Sequence, residues 1–278
     1  MLRIATWNVN SIRARLENLI SWTNSYRPDV LLLQEIKCTE QQFPFSELSE
    51  LGYNIEILGQ KARNGVAILS KFPIYGTSHG LLPGESHPLD SDSRYIEAKF
   101  DYRNMVIGVA SIYAPNGGPS VADMRSGIVD PRATENFSRK LDFFDKLSTK
   151  LKNSVTSDEI TFFGGDYNVC PNLQMDVYST KKDGSITCTE EEREKFRLLL
   201  ETGVSDLWRK LNPELREYSW WGYRPYYMWE KNLGFRLDAI LASPRATALT
   251  SRCRIYSKET RGKERASDHT PMMCEIEP

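Results

Sequence analysis

Ile160-Thr161-Phe162-Phe163-Gly164-Gly165-Asp166-Tyr167-Asn168 (160–168) joins a short apolar run to a carboxylate and a carboxamide two residues apart. The run reads as a β-strand, and alternate residues of a strand point to one face. The spacing therefore predicts that Asp166 and Asn168 aim two polar heads at one spot at the strand's end. Gly164 and Gly165 read as positions where the backbone turns tightly and comes close to a ligand. On its own, Asp-x-Asn after a strand is also the chemistry of a turn.

Four similar stations lie beside other apolar runs and give this one weight. Thr6-Trp7-Asn8-Val9-Asn10 follows Leu2-Arg3-Ile4-Ala5, and Gln34-Glu35 ends Asp29-Val30-Leu31-Leu32-Leu33. Gly234-Phe235-Arg236-Leu237-Asp238 leads into Ala239-Ile240-Leu241-Ala242-Ser243, and Ser267-Asp268-His269 precedes a last apolar stretch. A structural role is open for each: Asn8 as a helix cap, Glu35 as a solvated strand end, Asp238 and Asp268 as turn residues. Their joint occurrence points to a site, because polar groups at strand ends converge when the strands share a sheet.

The ordered set resembles the exonuclease III family of DNA-repair AP endonucleases, within the wider endonuclease/exonuclease/phosphatase superfamily. The resemblance rests on Trp-Asn-Val-Asn-Ser-Ile-Arg-Ala-Arg (7–15), Leu-Gln-Glu-Ile-Lys (33–37), Gly-Val-Ala-Ile-Leu-Ser (65–70) and Tyr-Ala-Pro-Asn-Gly (113–117). It continues through Gly-Asp-Tyr-Asn-Val (165–169), Arg-Leu-Asp-Ala-Ile-Leu-Ala-Ser (236–243) and Ser-Asp-His-Thr-Pro (267–271). Glu35-Ile36-Lys37 and the Lys140-Leu141-Asp142-Phe143-Phe144 helix resemble the DNA-repair branch in particular.

Composition fits a soluble globular protein with a substantial core. Of 278 residues, 40% are hydrophobic and 26% charged, the balance of a globular domain; 1–278 reads as a single domain. No run reaches the apolar length of a membrane span, and the N-terminus lacks the pattern of a secretory signal. Cys38, Cys170, Cys188, Cys253 and Cys274 are odd in number and form no Cys-x-x-Cys, which suits a reducing, cytoplasmic setting without zinc or a disulfide framework. The net charge of −1 does not itself advertise a nucleic-acid partner. Basic clusters occur locally at Arg13 and Arg15, Lys61 and Arg63, Arg252 and Arg254, and Arg261, Lys263 and Arg265.

Strand patterns fall at 2–8, 29–34, 65–70, 94–100, 104–112, 159–164, 235–242 and 271–277. Helical spacing is clearest at 11–24 and 134–152, and a third helix begins near Thr189, whose hydroxyl can cap it. Many strands lack an intervening helix, which argues against a doubly wound parallel sheet. Two packed mixed β-sheets flanked by helices fit better, and the resemblance implies such an α/β four-layer sandwich. Gly117–Arg132 and Asn172–Cys188 read as loops, the first a surface excursion and the second with its tip at Lys181–Gly184.

The resemblance also implies chemistry. Glu35 would be the principal ligand of Mg²⁺, with Mn²⁺ as a substitute and one or two ions, supported by Asn8. Asp268 would bind or orient the same or a second ion, and Asp166, Asn168 and His269 complete the metal-site candidates. Asp166 would position and deprotonate water, Asn168 would orient it or a phosphate oxygen, Tyr113 and Asn116 would contact the phosphate, and the Tyr113 hydroxyl would assist departure of the leaving oxygen. Asp238 would partner His269, which polarises the scissile phosphate; His79 and His87 read as structural or exposed. Trp220, Phe235 and Leu237 would wall a pocket for a base-less sugar, while neighbouring Trp221, Tyr223, Tyr226, Tyr227 and Trp229 read partly as core. The implied partner is double-stranded DNA with abasic sites or blocked 3′ ends, cut by a monomer 5′ to the lesion or trimmed from the 3′ end. A phosphodiesterase of small or lipid phosphates and a non-cutting damage-binding protein are the competing expectations; Lys37 and the basic 261–265 loop favour DNA.

Overall fold

Paired strands buried on both faces organise the chain. The computed structural model describes residues 1–81, 92–127, 130–156, 158–225 and 227–277. Among them are twelve strands: β1 (Leu2–Asn8), β2 (Val30–Gln34), β3 (Asn54–Leu58), β4 (Val66–Ser70), β5 (Tyr75–His79) and β6 (Tyr95–Tyr102). They continue with β7 (Met105–Tyr113), β8 (Ile160–Asp166), β9 (Ser205–Asp206), β10 (Asp238–Ala242), β11 (Thr250–Ile255) and β12 (Met272–Ile276). The expected strands are present; β3, β5, β9 and β11 are additional. His79 is exposed at the end of β5, and His87 lies outside the described residues.

The strands form two mixed six-stranded sheets, ordered β11-β12-β1-β2-β4-β3 and β5-β6-β7-β8-β10-β9. Taken from its other end, the second sheet repeats the first. β1 and β8 hold the same place, each parallel to one neighbour (β2, β7) and antiparallel to the other (β12, β10). The remaining pairings are antiparallel in both sheets. No repeat is visible in the sequence.

Three apolar layers fix the sandwich. Between the sheets pack Ile4, Leu32, Ile68, Val109, Phe162 and Ile240. Outside the second sheet, helices Glu135–Ser154 and Glu190–Leu200 seat Phe144, Leu147 and Phe196 against Ile112, Phe163 and Leu241. Outside the first, helix Leu16–Tyr26 seats Leu19 and Trp22 over Trp7, Leu31 and Leu33. Two mixed sheets flanked by helices are therefore the observed architecture. No helix of the described residues is long and apolar enough to cross a membrane.

Toward one edge the inter-sheet layer turns polar. Thr6, Gln34 and Ser111 are fully buried there, Gln34 donating to Thr6 Oγ1 at 3.0 Å and to Ser111 Oγ at 2.9 Å. This bonded layer separates the apolar core from Asn8, Glu35, Tyr113 and Asp166 at the strand ends.

Several expectations are corrected. The first helix begins at Leu16, not residue 11, because Asn10 (φ 44°) and Ser11 (φ 86°) are left-handed, and the Ser11 and Ile12 amides donate to Glu35 and Ile36. β10 begins at Asp238 because Phe235 bridges to Trp220 and Val177 instead of the sheet. The 117–132 stretch is not a bare excursion: it holds a helix, Val121–Arg125, capped by Ser120, and a 3₁₀ turn at Pro131–Ala133. Gly164 and Gly165 do not turn the chain; they lie within β8 and admit close neighbours. A Cβ on Gly164 would stand 2.7 Å from Leu32 Cδ1 of the facing sheet, and one on Gly165 would stand 2.1 Å from the Ile112 carbonyl oxygen.

A backbone carbonyl in a ladder cannot retreat as a leucine methyl can. Gly165→Ala should thus destabilise the protein by about 1–3 kcal/mol or more, and Gly164→Ala by less, read from urea-unfolding midpoints. Equal midpoints for wild type and Gly165→Ala would contradict this packing account.

Candidate active site

β1, β2, β7 and β8 end, and β10 and β12 begin, at one edge of the sandwich, which brings the sequence stations together. Asn8 Nδ2 is the joint: it donates to Glu35 Oε1 at 2.8 Å and to Asp166 Oδ2 at 2.9 Å, so one amide spans both sheets. Opposite, His269 Nδ1 meets Asp238 Oδ2 at 2.9 Å, and His269 Nε2 lies 3.6 Å from Asp166 Oδ2. Lys37 pairs with Glu35 Oε2 at 2.6 Å.

Asp166 and Asn168 share the site, though not by strand alternation. β8 stops at Asp166, Asn168 takes φ 52°, and its amide donates to Asp166 Oδ1 at 2.9 Å. The turn and the functional station are one object: the turn uses Oδ1, while Oδ2 accepts from Asn8 and, at 3.3 Å, from Asn168 Nδ2 and faces His269. β1 ends in the same device, Asn10 (φ 44°) donating its amide to Asn8 Oδ1 at 3.0 Å. Asn8 caps no helix. Glu35, also left-handed at φ 51°, is turned out of β2 toward the cleft.

Asp268 is held apart from this cluster. Its Oδ1 accepts from Asn10 at 2.9 Å and its Oδ2 from the Trp220 indole at 3.0 Å. Burial opposes its charge, but His269 and these two donors carry its pKa below the ordinary carboxylate value.

The electrostatics of the core cluster are set by burial against neighbouring charge. Burial raises the Asp166 pKa most; the His269 charge and the Asn8 hydrogen bond pull it down, Asp238 and Glu35 push it up, and the result is about 7. Burial alone would lower the His269 pKa, but Asp238 and then Asp166 outweigh it and carry it up to about 10. Tyr113 stays a phenol, its pKa raised well above 10 by burial and by the Glu35 and Asp166 charges. Arg94 lies over its ring at 4.8 Å.

Ligand atoms of Glu35, Asp166 and His269 lie within 4.8 Å of one another. The carboxylate oxygens fit a hard divalent cation. His269 contributes the third of these atoms, and its Nδ1 is taken by Asp238.

Beside the cluster opens a cleft of about 530 Å³ lined by Tyr113, Asn116, Trp220, Phe235, Leu237 and His269. Phe235 meets Trp220 edge-on at 5.3 Å and Tyr178 at 5.5 Å. Between the two wall residues, Arg236 is buried the other way, against Asp176 at 2.8 Å and Asp206 at 2.8 Å. This ion network anchors the extended Phe235–Asp238 segment from behind.

The sequence profile of the endonuclease/exonuclease/phosphatase family matches residues 5–269. The chain belongs to this family. Within it lies the exonuclease III branch: the chain is 30% identical over 285 residues to exodeoxyribonuclease III of Haemophilus influenzae, covering 99% of this chain and all of the relative. An AP endonuclease from Archaeoglobus fulgidus superposes with a TM-score of 0.88 at 33% identity over the whole of both chains. A 3′-5′ exonuclease from Neisseria meningitidis does so with 0.87 at 31%, again over both whole chains.

Against this family frame, the structure gathers every candidate named from sequence at one edge, with Asp268 one bond removed. It adds residues the sequence reading passed over. Asn10 links Lys37, at 2.5 Å, to Asp268, and its place in Asn-Val-Asn was the available signal. Tyr178, Lys182, Arg224 and Met228 line the far part of the cleft; no local pattern marked the first two, which sit where motif similarity loosens. Trp221 is core, beside Tyr218 and Trp229; Tyr226 lies outside the described residues. Arg15 donates to the Asn10 carbonyl at 2.6 Å and to the Tyr223 hydroxyl at 2.8 Å, and Arg261 donates to the Ser267 carbonyl at 2.8 Å.

The Asp238–His269 pair has a direct spectroscopic test. In metal-free protein, His269 imidazole resonances should not titrate between about pH 6 and 8, while Asp238→Asn should bring the midpoint down by roughly two units or more. Because the folded value, about 10, exceeds the unfolded 6.5, the linked stability is complete below pH 6.5 and is lost as pH rises through 10. A wild-type midpoint near 6.5 would contradict the pairing.

Proposed function

We propose that this protein is a DNA-repair nuclease that hydrolyses the phosphodiester 5′ to abasic sites and trims blocked or normal 3′ ends of double-stranded DNA, acting as a monomer whose 1–278 form one domain. The observation that carries the reading is the Asn8 joint: Glu35 and Asp166 held by one amide, with the Asp238–His269 pair opposite and an aromatic-walled cleft alongside. The names of the relatives, an exodeoxyribonuclease III and an AP endonuclease, support DNA as the substrate.

The geometry supports the roles that the family resemblance implies. Asp166, with a pKa of about 7, is suited to take the proton of an attacking water near neutral pH. Asn168 orients that water. His269, kept charged by Asp238, faces the negative charge that builds on the phosphoryl oxygens. Tyr113 keeps its proton and donates a hydrogen bond toward the leaving side, and exposed Asn116 reaches a phosphate oxygen. Glu35 with Asp166, steadied by Asn8 and with Asp268 behind, would hold Mg²⁺ or Mn²⁺, one ion or two; bound there, the ion supplies Lewis-acid stabilisation of phosphate charge. Trp220, Phe235 and Leu237 wall the sugar subsite, and unstacking costs least where no base exists.

Two labelled duplexes, one with an abasic analogue and one with a recessed normal 3′ end, test the reading. Chelation should abolish cleavage and Mg²⁺ or Mn²⁺ restore it, and His269→Ala should slow turnover by roughly two orders of magnitude or more while sparing DNA affinity. Full activity after demetallation, or near-normal turnover in His269→Ala, would sink it.

The wall has its own test. Phe235 is 7% exposed within an apolar cluster and also lines the cleft, so it is core and wall at once. Phe235→Ala should lower the melting temperature and also cut abasic-site incision by roughly tenfold or more relative to removal of normal 3′ nucleotides, measured well below the melt. Parallel loss of both activities would leave Phe235 as core alone.

A further inference from the structure

Lys140 is the least expected charge in the molecule. It and Glu192 are both fully buried, one on each of the two helices that cover the second sheet. A lysine ammonium has three donors and no acceptor, and here each donor is used. Lys140 Nζ donates to the Asn168 carbonyl at 2.7 Å, to the Asn116 carbonyl at 3.0 Å, and to Glu192 Oε1. Glu192 in turn accepts from the Thr187 amide at 3.1 Å, the Thr189 amide at 2.9 Å and the Thr189 hydroxyl at 2.8 Å.

The two carbonyls are the backbone of cleft residues. Asn116 and Asn168 line the cleft, and their side chains touch, Asn116 Nδ2 donating to Asn168 Oδ1 at 3.3 Å. Asn168 sits in the left-handed region at φ 52°, a conformation asparagine tolerates, and its carbonyl is held there by the Lys140 bond. Gly117 follows Asn116 at φ 81°, and a Cβ there would stand 2.7 Å from Lys140 Cδ. The glycine thus lets the chain cross the lysine stem closely enough for the carbonyl to reach the ammonium. Thr187, bonded to Glu192, lines the same cleft.

We infer that Lys140 is a positioning residue for the hydrolysis: its ammonium, locked by Glu192, fixes the backbone turns of Asn116 and Asn168 so that their carboxamides face water and phosphate. A fold-stabilising ion pair needs no such partners, whereas this one places two of its three bonds on the backbone of two site residues. Lys140 touches no substrate and acts through Asn168 and Asn116.

The inference rests on the nuclease reading, and its test is a double-mutant cycle in single-turnover cleavage of the abasic duplex with Mg²⁺, per folded molecule. Lys140→Met, close in volume but uncharged, should slow the cleavage step roughly ten- to a hundredfold and change KM less than about threefold. Combined with Asn168→Ala it should add less than about twofold to the loss in Asn168→Ala alone, as expected of residues that act as one unit. Should Lys140→Met not fold, Glu192→Gln goes through the same cycle with the same expected non-additivity. Additive losses, or a rate per folded molecule equal to wild type, overturn the inference alone; a wild-type protein that cuts neither duplex overturns the nuclease reading with it.

Discussion

One hydrogen-bond donor group holds the site together. The Asn8 amide nitrogen gives one bond to Glu35 and one to Asp166, from strands of opposite sheets. Two carboxylates on one nitrogen repel, and burial strengthens the repulsion. Lys37 on Glu35 and the imidazolium of His269 beside Asp166 offset it. The polar layer of Thr6, Gln34 and Ser111 beneath keeps the strand ends in register without exposing an unpaired group to the core.

The acids consequently differ in state although they lie close together. Asp166 is held near the middle of the neutral range, where it can both take and release a proton. Asp268, tied by Asn10, Trp220 and the neighbouring histidine charge, is pulled below the ordinary value and stays ionised. Asp238 spends one oxygen on His269, and Ser219 pins the amides of Leu237 and Asp238. Environment, not residue type, separates a group that moves protons from groups that fix charge.

Much of this was legible in the chain. Continuous apolar runs marked the central strands of both sheets, which are buried on both faces, and a polar residue at the end of such a run marked the site, because a strand can lose its apolar face only where it reaches the surface or a ligand. The edge strands β3, β5, β9 and β11 were missed: Asn54–Leu58 and Tyr75–His79 carry few buried side chains, and Ser205–Asp206 is too short to show a period. The start of helix Leu16–Tyr26 was misjudged because Asn10 and Ser11 are left-handed for the sake of bonds to Glu35, a tertiary cause that no local pattern displays. Lys140 was read only as part of the Lys140–Phe144 helix motif, because two of its three acceptors are backbone carbonyls, and main-chain atoms leave no signature in a sequence. Lys182 and Tyr178 reach the cleft from a segment whose path depends on the Arg236 network behind it.

The matched strand orders of the two sheets have a mechanical consequence. Since β1 and β8 occupy equivalent places and face each other across the core, Asp166 and the Asn8 amide bonded to it are carried by different sheets. Their separation is set by whatever packs between, notably Leu32 against the bare face of Gly164. The hydrophobic interior therefore works as a spacer gauge: side-chain thickness deep between the sheets sets how far apart Glu35 and Asp166 stand at the rim.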